Sequence, residues 1–239
     1  MPKRQRVRQG IILVSFFLFP VTFYYFSPVL IIEASSQGII NGSFLLFAAL
    51  FLSALVLGRG FCGWLCPGAG CQEAMFAAQP GNIVRGKSIK WWIWVPWMGG
   101  IAFCAIRAGG YHVVNGLYRT QFGFSVTNLH GLIVYLAVLL LLIVLPGLLI
   151  GRRSFCHHLC WMAPFMILGR KTGHTLGLPR LHLQKTEEEC IHCHLCSKHC
   201  PMSLEVEEMV KSNSLENSEC ILCGNCVDRC PKDVLRYTW

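Results

Sequence analysis

Two copies of one cysteine pattern lie near the end of the chain: CIHCHLCSKHCP at 190–201 and CILCGNCVDRCP at 220–231. Each copy reads Cys-x2-Cys-x2-Cys-x3-Cys-Pro. Three thiolates on one tight loop can bind three irons of a [4Fe–4S] cube, and the fourth cysteine then reaches a second cube. Paired zinc sites lack the third cysteine at this regular spacing, and a disulfide framework needs an oxidising compartment. The pattern therefore predicts two [4Fe–4S] clusters.

These two clusters are expected to share their ligands crosswise, as in a bacterial two-cluster ferredoxin domain. Each cluster takes three cysteines from one copy of the pattern and the last cysteine from the other copy. The predicted ligands are Cys190, Cys193, Cys196 and Cys230 for the first cluster, and Cys220, Cys223, Cys226 and Cys200 for the second.

The remainder of the chain has the composition of a membrane protein. Hydrophobic residues make up 54% of the sequence and charged residues 14%, which is unlike a soluble globular domain. Four apolar stretches account for this difference, at 11–32, 39–57, 91–106 and 129–150. The first, second and fourth approach the roughly 20 residues that a helix needs to cross the hydrocarbon core. The third is shorter and is interrupted by Pro96.

Lysines and arginines gather on one side of these predicted helices, and this bias sets the orientation because their translocation is disfavoured. One side contains Lys3, Arg4, Arg6, Arg8, Arg59, Arg85, Lys87, Lys90, Arg152, Arg153, Arg170 and Lys171, and the other contains Arg107 and Arg119. We therefore expect a multi-pass protein of the bacterial or archaeal cytoplasmic membrane with both termini in the cytoplasm. The first apolar run is too long for a cleaved signal peptide and indicates a retained signal anchor.

The formal charge of +9 is distributed unevenly. Residues 1–180 contain fifteen basic and two acidic residues, whereas residues 181–239 contain six and ten. Membrane topology explains the basic excess, so no nucleic-acid partner is expected. The acidic tail suits docking to a basic patch on a redox partner, and a solvated acidic surface is the alternative.

A second repeat lies inside the membrane part: GRGFCGWLCP at 58–67 and RRSFCHHLCW at 152–161. Two Cys-x3-Cys pairs that face each other can supply four thiolates. This predicts a third iron–sulfur cluster held by Cys62, Cys66, Cys156 and Cys160. Three alternatives stay open: the cysteines are small buried hydrophobic residues, each pair is a redox-active dithiol, or the thiolates bind a soft metal such as Cu(I).

With these motifs identified, the segments 26–28, 38–43, 58–73 and 155–165, together with the tail, resemble the membrane-bound ferredoxin-type proteins of the NapH, MauN and NosR group. The resemblance implies a membrane electron-transfer component that passes electrons from quinol or a cytoplasmic donor towards a partner enzyme. Trp161 stands where that group usually has proline, and Cys71 adds a thiol beside the first motif. The flavin-bearing domain of the NosR branch is absent, which favours the NapH-like branch.

Few other residues offer acid–base chemistry. Glu33 and Glu73 are the only acids before residue 181, and an ionisable group near the bilayer is a functional candidate. Glu33 is accordingly a candidate for a proton or quinone role, with simple solvation at the interface as the alternative. His157 and His158 either tune the centre at the second motif or carry protons, with a structural role at the interface as the alternative. Cys71 is left outside the ligand set.

Histidines near the outer face are not expected to bind haem. His112 and His130 lack companions at helical spacing and a haem-attachment motif, so interfacial or hydrogen-bonded roles are expected. The sequence also lacks dinucleotide- and phosphate-binding glycine motifs, so the chain is not expected to use NAD or ATP.

These inferences combine into one architecture. The expected fold is an all-α polytopic membrane domain at 1–170 with four transmembrane helices in two hairpins, a linker at 171–185, and a C-terminal α+β ferredoxin domain at 186–239 that binds two [4Fe–4S] clusters. The expected function is electron relay between a membrane-side site, with quinone as a candidate ligand, and a cytoplasmic redox partner.

Such a protein is an electron-transfer subunit of an oxidoreductase complex rather than a stand-alone enzyme, with membrane lipid and redox partner subunits as its partners. The alternative is an assembly or maturation protein that reduces a metal or a disulfide in a partner through its Cys-x3-Cys dithiols.

Overall fold

The computed structural model describes residues 2–75 and 89–239, so the predicted inner-side cations Arg85 and Lys87 lie outside the described residues. The first half of the chain forms α1 (Lys3–Phe17), α2 (Phe19–Thr22), a 3-10 helix (Phe23–Phe26), α3 (Pro28–Ser36), β1 (Ile39–Asn41), α4 (Gly42–Leu57), α5 (Gly60–Trp64), α6 (Pro67–Ala74) and α7 (Lys90–Arg107). It continues with β2 (Val113–Asn115), α8 (Leu129–Val138), a π-helical stretch (Leu139–Val144), α9 (Leu145–Ile150), α10 (Ser154–His158) and α11 (Ala163–Thr175). The tail forms β3 (His182–Lys185), α12 (Leu195–Lys198), α13 (Val206–Lys211), α14 (Asn225–Asp228) and β4 (Leu235–Thr238).

Within the described part of the chain, one continuous helix is long and apolar enough to cross a membrane: residues 129–150, which join α8, the π-helical stretch and α9. The first predicted span is bent by 57° between α1 and the helix that follows it, and it counts as a second crossing only if the bent pair is one span. The second predicted span, α4, is apolar but has 16 residues. The third, α7, contains Pro96. Four crossings therefore stay a prediction.

Close helix packing is built around two glycines of α11. A Cβ on Gly169 would lie 2.6 Å from the carbonyl oxygen of Phe51, and one on Gly173 would lie 2.1 Å from that of Leu55. Small residues spaced four apart let two helix backbones approach closely, which is a common way to pack apolar helices without large side chains. The contact fixes α11 along α4.

The tail folds around a short sheet and two similar cysteine loops. Strands β3 and β4 pair antiparallel, with His182 opposite Thr238 and Lys185 opposite Leu235. In each loop the residues before and after the second cysteine have positive φ, and a four-residue helix, α12 or α14, then carries the third cysteine. This turn geometry gathers three thiols on one side of each loop. The segment predicted as a linker contains the end of α11 and all of β3.

Candidate functional site

Both copies of the membrane-side repeat adopt one backbone geometry. Each preceding helix ends at a glycine of positive φ, and a five-residue helix, α5 or α10, then carries the first cysteine of the pair. The amide of Cys66 donates to the carbonyl of Phe61 at 3.0 Å, and the amide of Cys160 donates to that of Phe155 at 2.9 Å. The sequence repeat is therefore also a structural repeat.

The two dithiols face a single space. Cys62, Cys66, Cys156 and Cys160 are all buried and line one cavity of about 440 Å³, called here the four-cysteine cavity. Among residues 2–75 and 89–239, no group of three or more His, Cys, Asp or Glu side chains is gathered tightly enough to hold one metal ion. A single zinc ion would draw every thiolate to about 2.3 Å, whereas each thiolate of a [4Fe–4S] cube binds its own iron. Four thiols lining one cavity are a donor set that an iron–sulfur cluster can use.

Two further cavities in the tail divide the remaining motif cysteines crosswise. One is lined by Cys190, Cys193, Cys196 and Cys230, and the other by Cys200, Cys220, Cys223 and Cys226. These are the two sets that the spacing predicts. We refer to them as the first and the second tail cavity. Four soft thiolate donors at each cavity suit a [4Fe–4S] cube.

The second tail cavity is docked directly on the membrane-side repeat. A Cβ on Gly63 would lie 2.2 Å from the carbonyl oxygen of Ile221, so the two backbones touch. The indole Nε1 of Trp64 donates to the carbonyl of Leu222 at 3.0 Å, and the hydroxyl of Tyr237 donates to the same oxygen at 2.7 Å. We call this contact the docking seam. It places the second tail cavity next to the four-cysteine cavity.

The first turns of α1 also contact the second cysteine loop of the tail. Gln5 is fully buried and donates to the carbonyl of Cys223 at 3.0 Å and to the carboxylate of Asp228. Arg4 forms an ion pair with Asp228 at 2.7 Å. The basic N-terminus, which the sequence explains by topology, thus also holds the tail in place.

Four buried cations surround the repeat and are paired with two carboxylates. Arg8 and Arg153 both contact Glu73, with the Arg8 Nη1 to Glu73 Oε1 distance at 2.7 Å. Burial would raise the pKa of Glu73, but Arg153 and Arg8 together bring that pKa below its ordinary value. Arg153 and Arg8 also donate to the backbone carbonyls of Cys62 and Gly63, at 3.0 and 3.1 Å.

The second carboxylate belongs to the tail. Glu219 accepts from Nη1 of Arg59 at 2.8 Å and from Nζ of Lys90. Sequence reasoning missed both carboxylate networks. One signal was available, because Glu73 is one of only two acids before residue 181 and a segment rich in cations needs counter-ions.

Other candidates from the sequence lie at or beyond the edge of these networks. Nε2 of His157 donates to the carbonyl oxygen of Met202 at 3.0 Å, and burial lowers the pKa of His157 to about 4. Glu33 forms an ion pair with Arg119 and is not among the residues that line the four-cysteine cavity. His130 does line that cavity. Cys71 is buried but does not line it.

Comparison with known proteins supports the iron–sulfur assignment. A family model described as a 4Fe-4S binding domain matches twice, at residues 42–88 and 132–179, so each match includes one Cys-x3-Cys pair. A family model described as a 4Fe-4S dicluster domain matches residues 182–231. No solved structure matches the chain.

Similar proteins come from several microorganisms. The chain is 24% identical to the putative electron transport protein YccM of Escherichia coli, over 78% of the chain and 53% of YccM. It is 28% identical to the ferredoxin-type protein NapH of Haemophilus influenzae, over 80% of the chain and 66% of NapH. It is 26% identical to the methylamine utilization ferredoxin-type protein MauN of Methylorubrum extorquens, over 84% of the chain and 71% of MauN. Together these matches support a NapH/MauN-like ferredoxin-type protein.

Proposed function

We propose that the protein is a membrane-bound iron–sulfur electron-transfer subunit that relays electrons between a membrane-side site and a cytoplasmic redox partner. The observation that carries this proposal is the docking seam, because the contact between Gly63 and Ile221 puts two cysteine-lined cavities side by side. Iron–sulfur clusters bound in such cavities accept and release single electrons without bond changes in the protein. The residues of the chain supply the thiolates, exclude water and fix the spacing of the cavities.

We assign the predicted ligand sets to the three cavities. Cys62, Cys66, Cys156 and Cys160 would hold a third cluster at the membrane face, beside the two [4Fe–4S] clusters of the tail. The first tail cavity lies nearest to solvent, since Cys193 is exposed and so are Ile191, His192 and His194 around it. A partner redox subunit would meet the protein on this side.

The membrane setting follows from the surface of the helices. Large apolar side chains are exposed on α1, α4, α7 and the 129–150 helix, including Phe17 at 71%, Leu52 at 61%, Trp92 at 83% and Leu149 at 73%. Contiguous apolar surface of this kind needs a non-aqueous partner. With the distribution of lysine and arginine, this supports four crossings in two hairpins and both termini in the cytoplasm.

The four-cysteine cavity also offers room for a quinone. Away from the cysteines its walls are mostly aromatic and aliphatic, and they come from the bent segment 19–30 and the 129–150 helix. These two segments contribute the polar side chains of Tyr24, Ser27 and His130, and Arg59 and Gln72 line the cavity beside the cysteines. This combination suits a quinone, whose head group needs hydrogen bonds and whose tail needs apolar surface.

Iron and acid-labile sulfide per polypeptide test the proposal on anaerobically purified protein. We expect roughly twelve irons in the native chain and roughly eight in the Cys62→Ser/Cys156→Ser variant. Cys104→Ser is the matched control, because Cys104 lies on α7 outside the cavity, and it should keep the native count. Eight irons in all three proteins would refute the third cluster and favour the assembly or maturation function, in which the dithiols reduce a partner.

A further inference from the structure

The buried charges around the four-cysteine cavity do not balance. Within residues 2–75 and 89–239, four cations are almost completely inaccessible to solvent, namely Arg8, Arg59, Lys90 and Arg153. The carboxylates that they contact are Glu73 and Glu219, so four positive charges face two negative ones and an excess of two remains. Burial of unpaired charge is expensive. The site therefore suits an occupant with a charge of about −2.

Two of these cations have unused hydrogen-bond donors. Nε and Nη2 of Arg59 and Nε of Arg153 are buried and donate to no protein acceptor among the described residues. Arg59 lines the four-cysteine cavity itself and interacts electrostatically with Cys62 and Cys156. Arg153 interacts with Cys156 and with Cys223 of the second tail cavity. Donors of this kind are left free when their acceptor is a bound group.

The internal repeat relates the two arginines. Arg59 precedes Cys62 by three residues, and Arg153 precedes Cys156 by three residues. Each arginine donates to one carboxylate and to one backbone carbonyl. Arg59 donates to the Glu219 carboxylate and to the Ser218 carbonyl. Arg153 donates to the Glu73 carboxylate and to the Cys62 carbonyl. The structure thus has an equivalent cation at each half of the four-cysteine cavity.

We propose that Arg59 and Arg153 compensate the charge of the centre held by Cys62, Cys66, Cys156 and Cys160 and thereby raise its reduction potential. The inference rests on the proposed function. Four thiolates on a [4Fe–4S] core of charge +2 carry a net charge of −2, opposite in sign to the buried excess, part of which also faces Cys223 of the second tail cavity. Four neutral thiols, as in a pair of reduced dithiols, would leave that excess uncompensated. Reduction of the centre adds one electron and no bond changes, so nearby cations favour the reduced form.

A pair of variants with opposite expected effects tests the role of Arg153. Arg153→Gln removes a cation and Glu73→Gln removes its anionic partner, and both break the same ion pair. We expect Arg153→Gln to decrease the ratio of reduced to oxidised centre at a fixed potential about tenfold, which is about 59 mV for one electron. Glu73→Gln should increase that ratio. If Arg153 and Glu73 only held the structure together, both substitutions would change the ratio of reduced to oxidised centre in the same direction.

The readout is an EPR-monitored redox titration of the whole protein with dithionite as reductant, beside iron content. Arg119→Gln is the control, since Arg119 is exposed and pairs with Glu33 at the surface, and it should not shift the potential. If either variant loses iron, Arg59→Gln and Glu219→Gln replace the pair. Arg59→Gln should decrease the ratio of reduced to oxidised centre, and Glu219→Gln should increase it. Equal or same-sign shifts would overturn the inference while the proposed function stands. A native protein without a third redox signal would instead overturn both.

Discussion

Gly63 and Ile221 touch through their backbones, although they belong to different cysteine motifs. Because a Cβ at position 63 would lie 2.2 Å from the Ile221 carbonyl oxygen, any larger residue must push the tail away from the membrane part. We expect Gly63→Ala to destabilise the protein by about 1–3 kcal/mol, the usual cost of overpacking. Hydrogen exchange in residues 218–228 should become faster in the same variant.

The matched control for this substitution is Gly60→Ala, three residues earlier on α5. A Cβ there would have Leu57 Cβ as its nearest neighbour, at 3.8 Å. Gly60→Ala should leave hydrogen exchange in the tail unchanged. If the two variants behaved alike, the docking seam would not be what holds the tail.

The packing of α11 on α4 predicts a second glycine effect. Gly173→Ala would set a Cβ 2.1 Å from the Leu55 carbonyl oxygen and should lower the thermal unfolding temperature in detergent. Gly10→Ala should do the opposite, since nothing lies within 4 Å of its Cβ position on α1 and alanine favours helix by roughly 0.5–1 kcal/mol. A rise in the unfolding temperature of Gly173→Ala would contradict the close helix contact.

Glu73 predicts a specific dependence of stability on pH. Its pKa is lower in the folded than in the unfolded state, where it is about 4.3. The carboxylate therefore contributes stability that is fully present above the unfolded pKa and is lost as pH falls through the folded pKa. Glu73→Gln should be less stable than the native chain near pH 7, by about 3–5 kcal/mol if both buried arginines lose their counter-ion.

The measurement is thermal unfolding of both proteins from pH 7 down to pH 4. The difference between them should be constant above about pH 5 and shrink below it. Glu33→Gln is the control, because Glu33 pairs with an exposed arginine. A difference that grew as the pH fell would show that Glu73 is not stabilised as a carboxylate.

Gln5 predicts an effect of the N-terminal helix on the distant tail. Its side chain is fully buried, donates to the Cys223 carbonyl and accepts from Nε of the buried Arg8, so Gln5→Ala removes the donor of one group and the acceptor of the other. We expect a loss of about 1–3 kcal/mol in the free energy of unfolding. Limited proteolysis should cut the tail faster in this variant than in Arg6→Ala, which changes an exposed neighbour. Equal cleavage rates would argue against this contact.

The sequence predicted those features that local spacing determines. The crosswise division of the tail cysteines follows from loop geometry that both copies share, and the structure gathers the same two sets around two cavities. The membrane-side cysteines also meet at one cavity, because the repeat delivers equivalent turns. In each case a short motif contains enough information to position its own side chains.

Long-range ion pairs were beyond the same reasoning. Arg8 and Arg153 had a sufficient explanation in membrane topology, and nothing in one sequence joins them to Glu73, 65 and 80 residues away. The bend after α1 and the 16-residue length of α4 could likewise not be read from a count of apolar residues, so four crossings stay a prediction. The docking seam could not be predicted either, because it joins residues that are about 158 positions apart in the sequence.

The contacts of α1 with the tail also constrain how the protein is made. Arg4 and Gln5 bind residues more than 200 positions further along the chain. At the usual rate of about 5–20 residues per second, a ribosome needs at least about 10 seconds to supply those partners. During that interval the first turns of α1 are in the nascent chain without their native contacts. Closure of the structure therefore requires that the first turns of α1 are still available when the second cysteine loop has emerged from the ribosome.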